Sequence, residues 1–232
     1  MPPRTVSSPA APSSAAALDL WLVRHGESTW NTVGLAQGHN DQAELTSRGR
    51  RQAAAAAEEF RGRAIRAIYS SDLRRALQTA TAFGRVLGLP VTTDARLRER
   101  SLGTLEGSPS SAIGPEVTGL GEGRVLDPDA RPAGGESVRD LYRRAAEFCD
   151  DLKTSESTAA GDGDVLIVAH GGTLRVLEAY LHGISVEQMR WGPVGNATVV
   201  HVPQAVQSGA QSNGTHPHTT QPAIAQLRGG TR

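Results

Sequence analysis

Two histidines well over a hundred residues apart share one setting. Leu22-Val23-Arg24-His25-Gly26-Glu27-Ser28-Thr29 and Val168-Ala169-His170-Gly171-Gly172-Thr173 are each an apolar run that stops abruptly in His-Gly. A neutral imidazole can attack phosphorus and carry the phosphoryl group as a covalent intermediate. The guanidinium of Arg24, beside His25, matches two phosphate oxygens in a planar fork. A helix opening after His170 would add the backbone N–H groups of Gly171 and Gly172 as an anion site. Opposite unit charges about 4 Å apart are worth about 4 kcal/mol near a protein surface. Arginines and a second histidine therefore supply much of what a phosphoryl transfer needs. Cations so close should also depress the pKa of His25 and keep it a neutral nucleophile.

Such residues work together only if something holds them side by side. Both apolar runs read as buried strands, and strands of a parallel sheet present their carboxyl ends at one edge, where open α/β sheets bind ligands. The chain between and around them alternates strand and helix signals. Strands are expected at Leu18–Val23, Ala67–Ser70, Val91–Thr93, Asp164–Ala169 and, as an edge, Ala197–Val202. Helices are expected at Thr46–Phe60 with Thr46 as N-cap, from an Asp72 cap through Leu87, over Glu136–Lys153 and over Gly171–His182. That alternation predicts an α/β fold: a three-layer α/β/α sandwich with a mostly parallel central sheet.

At 232 residues the chain suits one domain, able to bury roughly 70% of its unfolded surface. Its 24 basic and 24 acidic side chains balance, which gives no global attraction to nucleic acid or to an anionic membrane. Cys149 is the only cysteine, so an internal disulfide and a cysteine-cluster metal site are excluded. No HExxH-like pair or carboxylate triad is present, and neither metal nor cofactor is expected. No run is long and apolar enough for a membrane span. The Pro-, Ala- and Ser-rich start makes a poor signal peptide, so a cytoplasmic location is expected. Without such a signal, the acceptor pattern Asn196-Ala197-Thr198 reads as chance. Residues 1–17 and 204–232 read as mobile tails around a domain at 18–203. Within it, the Gly- and Pro-rich stretch 107–135 reads as a cap inserted over the site.

Beyond the two histidines, a resemblance carries further. Arg24-His25-Gly26-Glu27-Ser28-Thr29-Trp30-Asn31 resembles the signature of the histidine phosphatase superfamily, the phosphoglycerate mutase-like proteins. Five further blocks follow in the family's order: Gln37-Gly38-His39 with Leu45-Thr46 and Gly49; Ser70-Ser71-Asp72-Leu73-Arg74-Arg75-Ala76; Leu97-Arg98-Glu99-Arg100 with Gly103; Gly135-Glu136-Ser137; and Ala169-His170-Gly171-Gly172. The resemblance covers roughly residues 19–200. It implies that His25 is the nucleophile and forms a phosphohistidine. It implies that Arg24, Arg75 and His170 hold the phosphoryl oxygens, with Ser28 and Asn31 lining the same pocket and Arg74 left on the surface. Glu99 matches the general acid, a role that typically contributes about 10²–10⁴ in rate. Gln37 and His39 either touch the pocket or cap a loop.

The resemblance leaves hydrolysis, mutase-type transfer and a non-catalytic phospho-ligand-binding module to be separated. Mutases of the family rely on a basic insertion after the acid block and on an Asn after His-Gly. Here Gly107 is followed by Ser108-Pro109-Ser110-Ser111-Ala112, and His170-Gly171 by Gly172. A binding module would lack a core residue, and all five are present. The expectation is therefore a metal-independent phosphomonoesterase acting on a small sugar-, polyol- or glycerate-type phosphate, as a monomer or homodimer. The 107–135 stretch contains no aromatic ring, so no stacking platform is expected from it.

Overall fold

A computed structural model describes residues 19–121, 123–158 and 162–203; the expected tails at 1–17 and 204–232 lie outside the described residues. In chain order the main elements are β1 (Leu20–Arg24), α1 (Thr29–Thr32), α2 (Ser47–Glu58), β2 (Ile65–Ser70), α3 (Arg74–Leu87) and β3 (Val91–Thr93). There follow α4 (Pro115–Thr118), β4 (Leu120–Gly121), β5 (Arg124–Val125), α5 (Val138–Thr158), β6 (Asp164–Ala169), α6 (Gly171–Leu181) and β7 (Val199–Val202). The five-stranded sheet runs β3-β2-β6-β1-β7. All its pairings are parallel except that of β7, which closes the edge antiparallel to β1.

Successive side chains of a strand point to opposite faces, and both faces of β1 and β6 are covered. Leu20, Leu22, Val165 and Ile167 pack against Leu141, Phe148 and Leu152 of α5 and Leu174 and Leu177 of α6. On the opposite face Trp21, Val23, Leu166 and Val168 meet Ala56 and Ala57 of α2, Phe60, and Ala76, Ala80 and Phe83 of α3. This is the expected three-layer sandwich, and it explains why the two central strands read as nearly continuous apolar runs.

Register brings the two His-Gly motifs together. Leu20 lies opposite Val165 and Arg24 opposite Ala169, so the residues that follow, His25 and His170, leave the sheet side by side. The His25 N–H donates to the Ala169 carbonyl at 3.0 Å, extending the ladder one step past the strands.

Several boundaries differ from expectation for local reasons. Asp72 does not cap α3: its carboxylate takes the Arg98 guanidinium through both oxygens, at 2.7 and 2.5 Å. A bidentate ion pair outcompetes one cap bond, and Asp41 accepts from the Arg74 N–H instead. Helix α5 starts at Val138 because Ser137 and Asp140 exchange side-chain and backbone bonds in a reciprocal cap. Strand β7 starts at Val199, since Ala197 adopts a left-handed φ of 55° that no strand accommodates. The Thr46 cap forms as expected, its hydroxyl accepting from the Gly49 N–H at 2.9 Å. Gly49 itself lies against the chain after His25: a Cβ on Gly26 would strike the Gly49 carbonyl, and one on Gly49 would strike that of Glu27.

Residues 107–135 form short pieces rather than one structureless loop. Helix α4 ends in left-handed Gly119, and β4 and β5 make a two-stranded hairpin. The hairpin is held to a distant segment: Val125 N–H donates to the Met189 carbonyl, and Trp191 N–H to that of Gly123 at 2.7 Å. Together they stand over the carboxyl edge of the sheet.

Candidate active site

The ring of His25 is buried and fixed in one tautomer. Its Nδ1 lies 2.7 Å from the Gly26 carbonyl. A carbonyl can only accept, so Nδ1 carries the proton and Nε2 keeps its lone pair. Burial holds the imidazole well below its ordinary pKa, and the charges of Arg24 and Arg75 push it further down. The ring is therefore neutral at pH 7, as its arginine neighbour implied. His170 stands 5.2 Å away between ring centroids, fully buried and depressed in the same way by burial, Arg75 and His25. Its Nε2 pairs with the Ser71 hydroxyl at 2.9 Å, while its Nδ1 has no protein partner.

Two arginines complete this cradle. Arg24, the last residue of β1, is anchored by Nη1 on the Val194 carbonyl, and its Nε has no partner. Arg75, in the first turn of α3, is fully buried. Its Nη1 and Nη2 donate to the carbonyls of Asn40 and Gly38 at 2.9 and 2.8 Å, and its Nε also lacks a partner. Burial lowers its pKa to about 10, so it stays charged at neutral pH. Arg74, next along the helix, is exposed. An unpaired buried donor costs roughly 1–3 kcal/mol. Arg24 Nε and Arg75 Nε are unpaired donors of two cations whose charges act on His25, and with the unpaired His170 Nδ1 they suit an anion.

Glu99 faces the cradle from the other side. Its Oε2 accepts from the Gly172 N–H at 3.0 Å and its Oε1 from the Arg100 N–H at 2.9 Å. The helix N-terminus expected to bind phosphate through two glycines thus gives one of its donors, Gly172, to this carboxylate, which a positive helix end attracts equally well. Gly171 remains on the cavity wall. A Cβ at Gly172 would collide with Glu99 Oε1, so the glycine that departs from the mutase pattern is also what lets the carboxylate dock.

Asn31 and Gln37 line the cavity. Ser28 does not. It is fully buried behind them, where it caps α1, donates its N–H to Asn31 Oδ1 at 3.0 Å, and sets its hydroxyl 2.9 Å from Gln37 Oε1. A serine used as a helix N-cap has its oxygen turned to the backbone. His39 also stays off the wall: its ring lies 3.7 Å from Glu136. Glu106 is structural, accepting from the N–H groups of His39 and Leu102.

Three residues, two lining the cavity and one behind it, have no counterpart in the sequence reading. Arg100 is only 4% exposed; it donates to the Thr118 carbonyl at 2.7 Å and lines the cavity. Trp191 supplies the ring missing from 107–135, and with Leu35, Ile113, Leu120 and Val194 it makes an apolar wall. Asn196 ties the His25 carbonyl to Asn31 Oδ1, at 3.3 and 3.1 Å. The one available signal was a tryptophan set in a Gly- and Pro-rich loop, where binding residues concentrate. The cavity holds about 540 Å³, far more than a phosphate needs and within the usual range of small-molecule sites. No group of three or more His, Cys, Asp or Glu side chains suited to a metal ion occurs among the described residues.

The arrangement combines a neutral, tautomer-locked imidazole, two unpaired cationic donors and an unpaired ring nitrogen, a carboxyl group opposite, and a cavity larger than a phosphate needs. Comparison with known proteins agrees. The profile of the histidine phosphatase superfamily (branch 1) matches residues 20–209. A glucosyl-3-phosphoglycerate phosphatase of Mycolicibacterium vanbaalenii is 39% identical over 191 residues, covering 79% of this chain and 83% of its own. A probable phosphoglycerate mutase of Yersinia pestis is 34% identical over 221 residues, covering 91% and 99%. A mycobacterial glucosyl-3-phosphoglycerate phosphatase solved with VO3 superposes with a TM-score of 0.70 at 37% identity, covering 80% of this chain and 90% of that one. By sequence over most of its length, by fold and by chemistry, this chain belongs to the histidine phosphatase superfamily and is a phosphatase of it.

Proposed function

We propose that the chain hydrolyses an acidic sugar phosphate of the phosphoglycerate type through a phosphohistidine on His25. The observation that carries this reading is the pair of unpaired buried donors, Arg24 Nε and Arg75 Nε, with the unpaired His170 Nδ1, beside an imidazole whose own Nδ1 is already committed. Nε2 of His25 attacks phosphorus in line, forming the N–P bond as the P–O bond to the leaving group breaks. Arg24, Arg75 and His170 hold the equatorial oxygens, where charge gathers in the transition state. Glu99, protonated in this step, gives its proton to the departing oxygen. It then takes one from water as water attacks phosphorus, the N–P bond breaks and inorganic phosphate leaves. Asn31 and Gln37 orient the ester. No charge in this scheme has to come from a metal, and activity is expected to persist in EDTA.

The substrate class follows from the rest of the cavity. Arg100 is a single further cation on the wall, suited to one carboxylate, and the face of Trp191 with its apolar neighbours suits a sugar ring. The mycobacterial relatives are named for such an ester. From 107–135 the wall receives Ser110, Ile113, Thr118 and Leu120, none of them basic. That favours release to water over retention of a second phosphate, as a mutase requires. We place the work in the cytoplasm, in a monomer or homodimer, and in a unit spanning 18–203 with 107–135 as its cap. No helix among the described residues is long and apolar enough to cross a membrane.

A substrate panel tests this reading: glucosyl-3-phosphoglycerate, 3-phosphoglycerate, phosphoserine and glucose phosphates, with phosphate release and isomerisation both followed. Phosphate release from the glycosylated ester should exceed that from 3-phosphoglycerate by at least about tenfold in kcat/KM, with an acid-labile phosphoenzyme trapped on quenching. Isomerisation of 3-phosphoglycerate outpacing phosphate release would overturn it.

A further inference from the structure

The segment carrying Glu99 is neither strand nor α-helix. A three-residue 3₁₀ turn, Ala95–Leu97, leads into an irregular stretch through Leu102, so its carbonyls have no ladder to satisfy them. One side chain from another layer gathers them. Arg144 of α5 donates Nη1 to the carbonyls of Arg96 and Arg98, both at 2.7 Å, and Nη2 to the carbonyl of Glu99 itself at 2.7 Å. Its Nε and Nη2 also grip Glu136 in a fork, each at 2.9 Å, and Glu136 Oε2 accepts from the Ser101 N–H at 2.9 Å. The guanidinium and its carboxylate thus hold the main chain on both sides of Glu99, and the Arg144 side chain is 14% exposed.

We infer that Arg144, oriented by Glu136, is the positioning residue for the general acid, an inference that rests on Glu99 having that role. The carboxyl group is aimed from the front by the N–H groups of Gly172 and Arg100, but those bonds hold only if its own Cα stays in place. A misplacement of about 1 Å in a reacting group can cost about 100-fold. Lysine cannot substitute, because one ammonium cannot serve three carbonyls and a carboxylate in a planar fork. None of the hydrogen bonds that anchor Arg24, His25 or Arg75 involves Arg144, so its loss should spare the phosphate cradle.

That separation supplies the test. Arg144→Lys and Arg144→Gln are compared with Glu99→Gln in the full chain, on β-glycerophosphate and on p-nitrophenyl phosphate, whose leaving group needs little protonation. Inorganic phosphate serves as inhibitor. Both Arg144 variants should lose about 30- to 100-fold in kcat on the alkyl ester and under about fivefold on the aryl ester. The inhibition constant of phosphate should stay within about twofold. Adding either Arg144 variant to Glu99→Gln should cost little more than Glu99→Gln alone, since residues acting as one unit are not additive. Equal losses on the two esters, or rescue by lysine, would overturn the inference while leaving Glu99 in place. If Glu99→Gln itself fails to discriminate between the esters, the acid assignment falls and this one with it. Should the Arg144 variants not fold, Glu136→Gln loosens the same fork from its other end. It should shift the alkyl-to-aryl ratio in the same direction by about threefold to tenfold, and an unchanged ratio counts against the inference.

Discussion

The two walls of the cavity are built on different principles. The phosphate side is assembled from ends of regular elements: Arg24 and His25 at the end of β1, Arg75 in the first turn of α3, His170 between β6 and α6. Each position there is set by sheet register or helix pitch. The leaving-group side comes from segments with little regular structure: 99–102, 110–120 and 191–194, joined by backbone bonds such as Trp191 N–H to Gly123. The cradle is thus chemically narrow, and because the opposite wall reaches Arg24 through a backbone atom, the Val194 carbonyl, its side chains can change while that contact stays. A fold arranged so can keep one reaction while its substrate varies.

Predictions follow that contrast from its strongest point. His25→Ala removes the nucleophile and should abolish the trapped phosphoenzyme, with at least about a 10⁴-fold fall in kcat measured by phosphate release; retained turnover would end the covalent scheme. Gly172→Ala tests the seam between the walls, because the new methyl occupies the place of Glu99 Oε1. Activity on an alkyl phosphate should drop about 100-fold, with a smaller loss on p-nitrophenyl phosphate. Equal losses would mean that the cradle itself had moved.

The cradle should also make the fold sensitive to acid. Both His25 and His170 are held well below the ordinary imidazole value. Below about pH 6.5 an unfolded histidine takes up a proton while these two do not, so the unfolded state binds more protons and stability falls with pH. Between pH 7 and pH 6 the two together should cost about 1–2 kcal/mol in urea melts. In His25→Ala the slope should be about half as steep, and a flat profile in the parent chain would contradict a neutral, buried pair. For the same reason the acid limb of kcat/KM should lie below pH 6.5. Trp191→Ala, on the variable wall, should be the mildest change. It is expected to raise KM for a glycosylated phosphoglycerate about tenfold while leaving inhibition by inorganic phosphate unaltered. Weaker phosphate binding would show that the two walls are not independent.

The same contrast explains what could be read from the chain alone. The His-Gly pair was legible because residue type, apolar run and glycine all point to strand ends meeting at one edge, and the β1–β6 register joins them. Arg75 and Glu99 emerged only through ordered motif blocks, since nothing in Leu73-Arg74-Arg75 or Arg98-Glu99-Arg100 says which charge turns inward. Arg100 illustrates the difficulty: in a run of charges it reads as solvated, and the structure buries it. Ser28 was misplaced for the opposite reason, because a helix cap and a ligand contact call for the same hydroxyl. Asn196, read as a chance glycosylation acceptor, bonds the His25 carbonyl. Contacts of that kind depend on tertiary approach across the whole fold and leave no periodic trace.

The pairing of β1 with β6 has a consequence in time as well as in space. His25 follows β1, and the strand that places His170 beside it, β6, is made well over a hundred residues later. Because β6 lies between β1 and β2 in the sheet, no partial sheet made from the first half of the chain can bring the cradle together. The nascent chain therefore carries His25 without its partner histidine until β6 has been made. Closing so long a loop also makes folding slow relative to a helical chain of equal stability. The cradle can close only after β6 has joined β1.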